Sequence, residues 1–395
     1  MRPLPRHDPR HETTIHDKAP TRHGDSLFKQ LFWFIIDWIK VSWKDLIAMA
    51  ILGAAALSIY QAPVAAVRNF PITFDTSGDI VYPEMAYPNR QWVISPVLSA
   101  VISTVIPIGI ILLAQIRIRS FWDANNAILG LLYSLILSAL FQVIMKQLIG
   151  GFRPYFLSVC QPDISRAQSH NTTGLNAVGF HQIMYTVDVC TNPDKVELQT
   201  AMTSFPSGHA TSAFASYVFL FLWMNAKLKV WANFQASFYW LALLLAPLLA
   251  AALMAGALTI DQAHNWYDIV AGMVIGTVVA FMSYRVCYAA VWDWRHNHIP
   301  LTRNNVFDYD VAASLMPEYM ERAVWTRKLG WGRRRKPGRR STREKRRGGS
   351  AASSATYARD GSTSVPYGQG QGLGYPDSVA VRGNGQYHAR GDEMV

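Results

Sequence analysis

Three short segments of this chain carry residues whose types and spacing can do chemistry. In His264-Asn265-Trp266-Tyr267-Asp268 an imidazole and a carboxylate stand four residues apart. On a helix that spacing puts both on one face, so Asp268 can hold one ring nitrogen and leave the other free to attack. The plainer alternative is an i,i+4 pair that caps a helix. Phe205-Pro206-Ser207-Gly208-His209-Ala210 joins a proline suited to a helix start with a glycine that lets backbone approach a ligand. The first free N–H groups of such a helix hold an oxyanion, which makes Ser207 and Gly208 a candidate phosphate cradle. An ordinary helix-entry turn, with His209 as an interfacial polar residue, is the competing account. Lys146 and Arg153-Pro154 add two cations. Taken alone, these read first as side chains that snorkel to anchor a helix end.

The elements that must position these groups are membrane helices. Apolar residues are gathered into long runs while charges crowd the two ends of the 395 residues. A run of about 20 residues without charge crosses a bilayer as a helix, because only a helix satisfies its own backbone in hydrocarbon. Six such runs are expected, near 46–66, 92–116, 127–145, 212–224, 237–254 and 269–291, the fourth being the weakest for its Ser and His content. The fold class is therefore all-α, a polytopic bundle of six spans. The three chemical segments fall at the ends of three spans, and the topology puts all of them on one face.

The first 25 residues are polar and lack the apolar core of a cleavable signal, so the first span is expected to direct insertion. Roughly thirty Lys and Arg lie at the ends and in the loops around Arg117, Arg119, Lys227 and Lys229, against about six in the opposite loops. Both termini should be cytoplasmic and the chemical face lumenal or extracellular. The expected organisation is a disordered segment 1–25, an interfacial amphipathic helix 26–45 whose Lys29, Asp37, Lys40 and Lys44 form a charged stripe, and a catalytic domain 46–291. A partly ordered segment 292–331 and a basic, disordered tail 332–395 follow. The net charge of +11 sits mostly in that tail. Joined to a membrane domain, the cluster within 333–347 points to anionic lipid headgroups, or to a solvated topology signal, rather than to nucleic acid.

Cys160 and Cys190 lie in the long loop 147–211, and the sequon at Asn171 lies between them. A disulfide and a glycan each need an oxidising, non-cytoplasmic face, in agreement with the charge argument. The two cysteines are read as a bridge, with unpaired thiols as the alternative, and Cys287 as a small packing residue within a span. No Asp, Glu or His cluster has metal-ligand spacing, so neither metal nor cofactor is expected.

Together the three segments resemble the motifs of the type 2 phosphatidic acid phosphatase (PAP2) superfamily, which includes the vanadium haloperoxidases. Lys-x6-Arg-Pro is met by Lys146 through Pro154 and Pro-Ser-Gly-His by Pro206 through His209. Of Ser-Arg-x5-His-x3-Asp, His264 and Asp268 fit, while Ala257 and Leu258 stand where Ser and Arg are usual. The resemblance covers roughly 46–291 and looks closest to fungal diacylglycerol pyrophosphate phosphatases. It implies a metal-independent lipid phosphate phosphatase acting on phosphatidate, diacylglycerol pyrophosphate or a related lipid. It also implies His264 as nucleophile, Asp268 as its orienter, His209 as general acid, and Lys146, Arg153, Ser207 and Gly208 as phosphate ligands.

Leu258 cannot donate a hydrogen bond, and losing one preorganised oxyanion donor costs roughly a hundred- to a thousandfold in rate. Arg166 or Thr259 would have to make good the loss, or Lys146 and Arg153 carry the phosphate alone. Two alternatives follow from the gap: a phosphotransferase of the sphingolipid-synthase type, and a catalytically silent lipid-binding relative. Substrate head group, organelle (endoplasmic reticulum, Golgi, vacuole or plasma membrane) and oligomeric state are left open by the sequence.

Overall fold

The computed structural model describes residues 27–64, 68–73, 76–77, 83–166, 178–233, 235–303 and 306–309. Asn171 and the basic tail lie outside the described residues, as do the segment 1–25 and all of 310–331. The chain opens with α1 (Leu27–Gln61), followed by α2 (Pro96–Ile118) and α3 (Phe121–Ile149). Short α4 (Phe156–Cys160) and α5 (Lys195–Ala201) lie in the long loop, and α6 (Gly208–Leu228), α7 (Phe238–Ile260) and α8 (Trp266–Cys287) complete the bundle. α1 runs unbroken from the segment expected at the interface into the first span, and its apolar window begins at Trp38.

Capping residues explain where several helices start. Ser95 accepts from the N–H of Leu98 and is followed by Pro96, whose missing N–H costs nothing at a helix start. Ser120 caps α3 and Ser207 caps α6 in the same way.

Among the described residues five helices are long and apolar enough to cross a membrane: the Trp38–Gln61 part of α1, and α2, α3, α7 and α8. The sixth long helix, α6, has the length, about 31 Å for 21 residues, but is not among the five. The reason is its place in the bundle. α6 packs against α2, α3, α7 and α8, and most of its side chains are buried, so it has little need of a lipid-compatible surface. Neighbouring helices meet some of its polar groups: the Ser216 hydroxyl donates to the Ser103 carbonyl, and the Ala215 carbonyl accepts from Ser134 at 2.7 Å. Trp223, Phe219, Tyr284 and Leu131 fill the core around it.

Gly272 and Gly276 form the α8 stripe against α6. A Cβ on Gly272 would lie 2.6 Å from the Ser207 carbonyl oxygen, and one on Gly276 would lie 2.5 Å from that of Thr211. Only glycine allows the two backbones this approach.

One end of the bundle is covered by the α3–α6 loop. Cys160 and Cys190 are bonded to each other, and strands β1 (Phe70–Pro71) and β2 (Met184–Tyr185) pair antiparallel, tying this loop to the α1–α2 connection. At the other end two lysines read from sequence as loop cations are buried. Lys227 meets the Asp123 carboxylate at 2.5 Å, with both side chains 2% exposed. Lys229 donates to the Trp294 carbonyl and to Asn297 Oδ1, which folds part of the segment after α8 back onto the bundle.

Candidate active site

The three segments flagged by their chemistry meet at the loop-covered end. Lys146 reaches it from the last turn of α3, Ser207, Gly208 and His209 from the first turn of α6, His264 from the α7–α8 connection and Asp268 from the first turn of α8. Lys146, Arg153, Gly208, His209 and His264 line one cavity of about 220 Å³. A larger cavity of about 440 Å³, lined by Arg68, Phe70, Phe152 and Tyr267 among others, contains none of these five.

Asp268 is fully buried and caps the start of its own helix: its Oδ2 accepts from the Asn265 N–H at 2.9 Å and the Asn265 side-chain amide at 3.3 Å. His264 Nδ1 lies 3.7 Å from the same oxygen, beyond a hydrogen bond. The Ser204 hydroxyl lies beside the pair and within reach of both, 2.5 Å from Asp268 Oδ2 and 3.4 Å from His264 Nδ1. Burial, reinforced by the charges of Arg153, Lys146 and His209, holds the His264 pKa well below the usual imidazole value. The ring is therefore neutral at neutral pH, the state in which a nitrogen lone pair can attack.

His209 is fixed on two sides. Its Nε2 lies 2.9 Å from the Ile94 carbonyl, which can only accept, so Nε2 carries a proton. Its ring stacks on Trp92 with centroids 5.4 Å apart. The same indole carries the Arg153 guanidinium 5.1 Å from its centroid, so one aromatic residue from the α1–α2 connection braces both groups. Asp261 supports this segment from the α7–α8 connection by accepting from the Val93 N–H, and it is not part of the cavity lining.

The two cations are held by backbone carbonyls. Lys146 Nζ donates to Thr203 at 2.6 Å, and Arg153 donates to Thr200 at 2.9 Å and Ala263 at 3.0 Å. Among the described residues no carboxylate pairs with either, so both charges are available to an anion in the cavity. The Ser207 N–H donates to the Asp268 carbonyl at 3.0 Å, which joins the turn of α6 to the start of α8.

Neither residue considered as a substitute for the usual arginine reaches the cavity. Arg166 donates to the Cys190 carbonyl and faces Asp163, and the Thr259 hydroxyl turns back to Gly256. Leu258 is buried in an apolar cluster with Ala255, Ala263 and Ile269. Sequence reading missed Ser204, Trp92 and Asn265, although Asn265 lies within a flagged segment. Ser204 stands two residues before Pro206 and carried no spacing signal.

Comparison with known proteins adds to this geometry. The PAP2 superfamily model matches residues 127–292. A PA-phosphatase related-family protein of Dictyostelium discoideum is 29% identical over 69% of this chain and 75% of its own. Lipid phosphate phosphatase 2 of Arabidopsis thaliana is 29% identical over 55% of this chain and 69% of its own. Diacylglycerol pyrophosphate phosphatase 1 of Saccharomyces cerevisiae is 27% identical over 42% of this chain, which spans about half of that relative's length. No solved structure matches the chain.

Proposed function

We propose, on the match of residues 127–292 to the PAP2 superfamily model, that this chain is a lipid phosphate phosphatase working through a phosphohistidine. The observation that carries the reading is the convergence of Lys146, Arg153, His209 and His264 on one cavity, with Asp268 buried behind His264. In the first step His264 Nε2 attacks phosphorus as the bond to the lipid oxygen breaks, and His209 in its protonated form gives its Nδ1 proton to the departing oxygen while Nε2–H stays on the Ile94 carbonyl. Lys146, Arg153 and the Gly208 N–H at the start of α6 take up the charge that builds on the phosphoryl oxygens, the Ser207 N–H being committed to the Asp268 carbonyl. In the second step water attacks the phosphohistidine, its proton passes to His209, and the P–N bond breaks to release phosphate.

A membrane-embedded bundle with the cavity at one end suits a substrate whose ester lies at the bilayer interface, such as phosphatidate. Diacylglycerol pyrophosphate presents the same terminal phosphate, with phosphatidate as its leaving group. The bonded Cys160–Cys190 pair at the cavity end, and the positive charge gathered in the termini, support a lumenal or extracellular site with both ends cytoplasmic. Lys146 and Arg153 form a clamp for a terminal phosphate, which has less purpose on the diester that a sphingolipid-synthase type transferase would handle.

The test is phosphate release from phosphatidate and diacylglycerol pyrophosphate in detergent micelles with excess chelator, for the wild type and His264→Ala. Release that resists the chelator and vanishes in the variant is the expected result. Absence of release from the wild type would overturn the phosphatase reading and make Leu258 the mark of a transferase or a silent relative.

A further inference from the structure

We propose that Ser204 is a positioning residue of this reaction, the link through which Asp268 sets the tautomer and orientation of His264. The proposal rests on the phosphohistidine reading. Asp268 Oδ2 and His264 Nδ1 are 3.7 Å apart, so the carboxylate does not hold the ring directly. Ser204 Oγ is within reach of both, at 2.5 and 3.4 Å, and is separated from His264 by 60 residues of chain.

The hydroxyl has a single proton, and an ionised carboxylate can only accept, so that proton goes to Asp268. What Ser204 turns to the imidazole is then a lone pair. His264 Nδ1 must be the donor there, and Nε2 is left without a proton, as the attacking nitrogen requires. The reverse tautomer would set two acceptors against each other in a site where Ser204, His264 and Asp268 are all buried.

Ser204 is itself fixed. Its N–H donates to the Gly151 carbonyl at 2.9 Å, and its carbonyl lies 3.5 Å from Lys146 Nζ. One residue thus touches the loop that bears Arg153, the Lys146 ammonium, the orienting carboxylate and the ring. As phosphorylation places positive charge on the imidazole, the polarised hydroxyl passes the stabilising effect of Asp268 to it. Since Ser204 is absent from the cavity lining, its contribution belongs to turnover and not to substrate binding.

The experiment uses the purified full-length chain in phosphatidate micelles and compares wild type with Ser204→Ala, Ser204→Cys, Ser204→Thr and His264→Ala. Ser204→Ala should lower kcat by about tenfold to a hundredfold with KM within about twofold, because a charge-assisted hydrogen bond is lost away from the substrate. The acid limb of kcat should also move to lower pH, as the protonated ring loses the stabilisation relayed by the hydroxyl. Ser204→Cys fills the same space with a weak donor and should fall in kcat as the alanine variant does, which separates loss of the hydroxyl from loss of packing. Ser204→Thr keeps the hydroxyl and should return both kcat and the acid limb toward wild type.

Wild-type kcat and pH profile in the alanine or the cysteine variant overturn the role of Ser204. If they occur while His264→Ala is inactive, the phosphohistidine reading stands without this link. Phosphate release by His264→Ala overturns the underlying reading itself.

Discussion

Asp268→Asn isolates the charge behind His264. The amide keeps the shape of the carboxylate and an oxygen for the Asn265 N–H, so the cap of α8 survives. What is lost is a unit negative charge 3.7 Å from His264 Nδ1, in a site where Asp268 is fully buried. Coulomb's law over that distance gives about 4 kcal/mol at an effective dielectric constant of about 20. Ser204 and the two Asn265 donors already draw on the same oxygen. About half to three quarters of the gross figure is then a fair measure of what reaches the ring, roughly 2 to 3 kcal/mol, or about thirty- to two-hundredfold in rate.

The timing of this loss is as telling as its size. His264 is neutral at rest, so the interaction grows only as the ring becomes positive, and the penalty falls on kcat with KM little changed. Steady-state hydrolysis of phosphatidate, together with acid-quenched measurement of phosphoenzyme formation, gives both quantities. A folded Asp268→Asn protein with kcat within about twofold of wild type would refute the account of Asp268 as the stabiliser of a charged His264.

Three further outcomes follow from the same coordinates. Because burial and neighbouring cations depress the His264 pKa, activity should persist below the ordinary imidazole value of about 6.5 and be lost as pH falls through the lower folded value. A kcat profile with its acid limb at or above about 6.5 would contradict this. Gly272→Ala puts a Cβ 2.6 Å from the Ser207 carbonyl, so α8 must withdraw from the turn of α6. The resulting misalignment of Asp268 and the phosphate cradle should lower kcat by about tenfold to a hundredfold, and wild-type turnover would refute the close approach. Lys227→Met strands the buried Asp123 carboxylate and should cost about 3 to 5 kcal/mol, read as a lower melting temperature in detergent. Pairing it with Asp123→Leu should recover most of that loss. Since Asp123 and Lys146 lie about 35 Å apart along α3, kcat of the folded fraction should not change, and a fall would show coupling between the two ends.

Much of this protein was legible in its sequence because the constraints involved are local. A helix in hydrocarbon must satisfy its own backbone, so apolar runs revealed the spans. α6 gave the weakest signal because its neighbours cover it and Ser216 bonds to the backbone of one of them. The i,i+4 spacing of His264 and Asp268, the turn at Pro206-Ser207-Gly208, and Lys146 with Arg153 were visible because each lies within a few residues of chain. The Cys160 and Cys190 pair was visible by its scarcity.

Tertiary structure decided what depends on approach between distant segments. Ser204 reaches both Asp268 and His264 only when the α5–α6 connection is pressed against the start of α8, and Gly272 is what allows that approach. Trp92 braces His209 and Arg153 from a connecting segment with no chemical motif of its own. The fates of Leu258, Arg166 and Thr259 were equally hidden, since a side chain's type says what it can bond and only packing says what it meets. Lys227 and Lys229 carry the same lesson. Their charge suggested exposed loop positions, yet Asp123 and the carbonyls of the folded-back segment repay their burial, and those partners lie far from them in sequence.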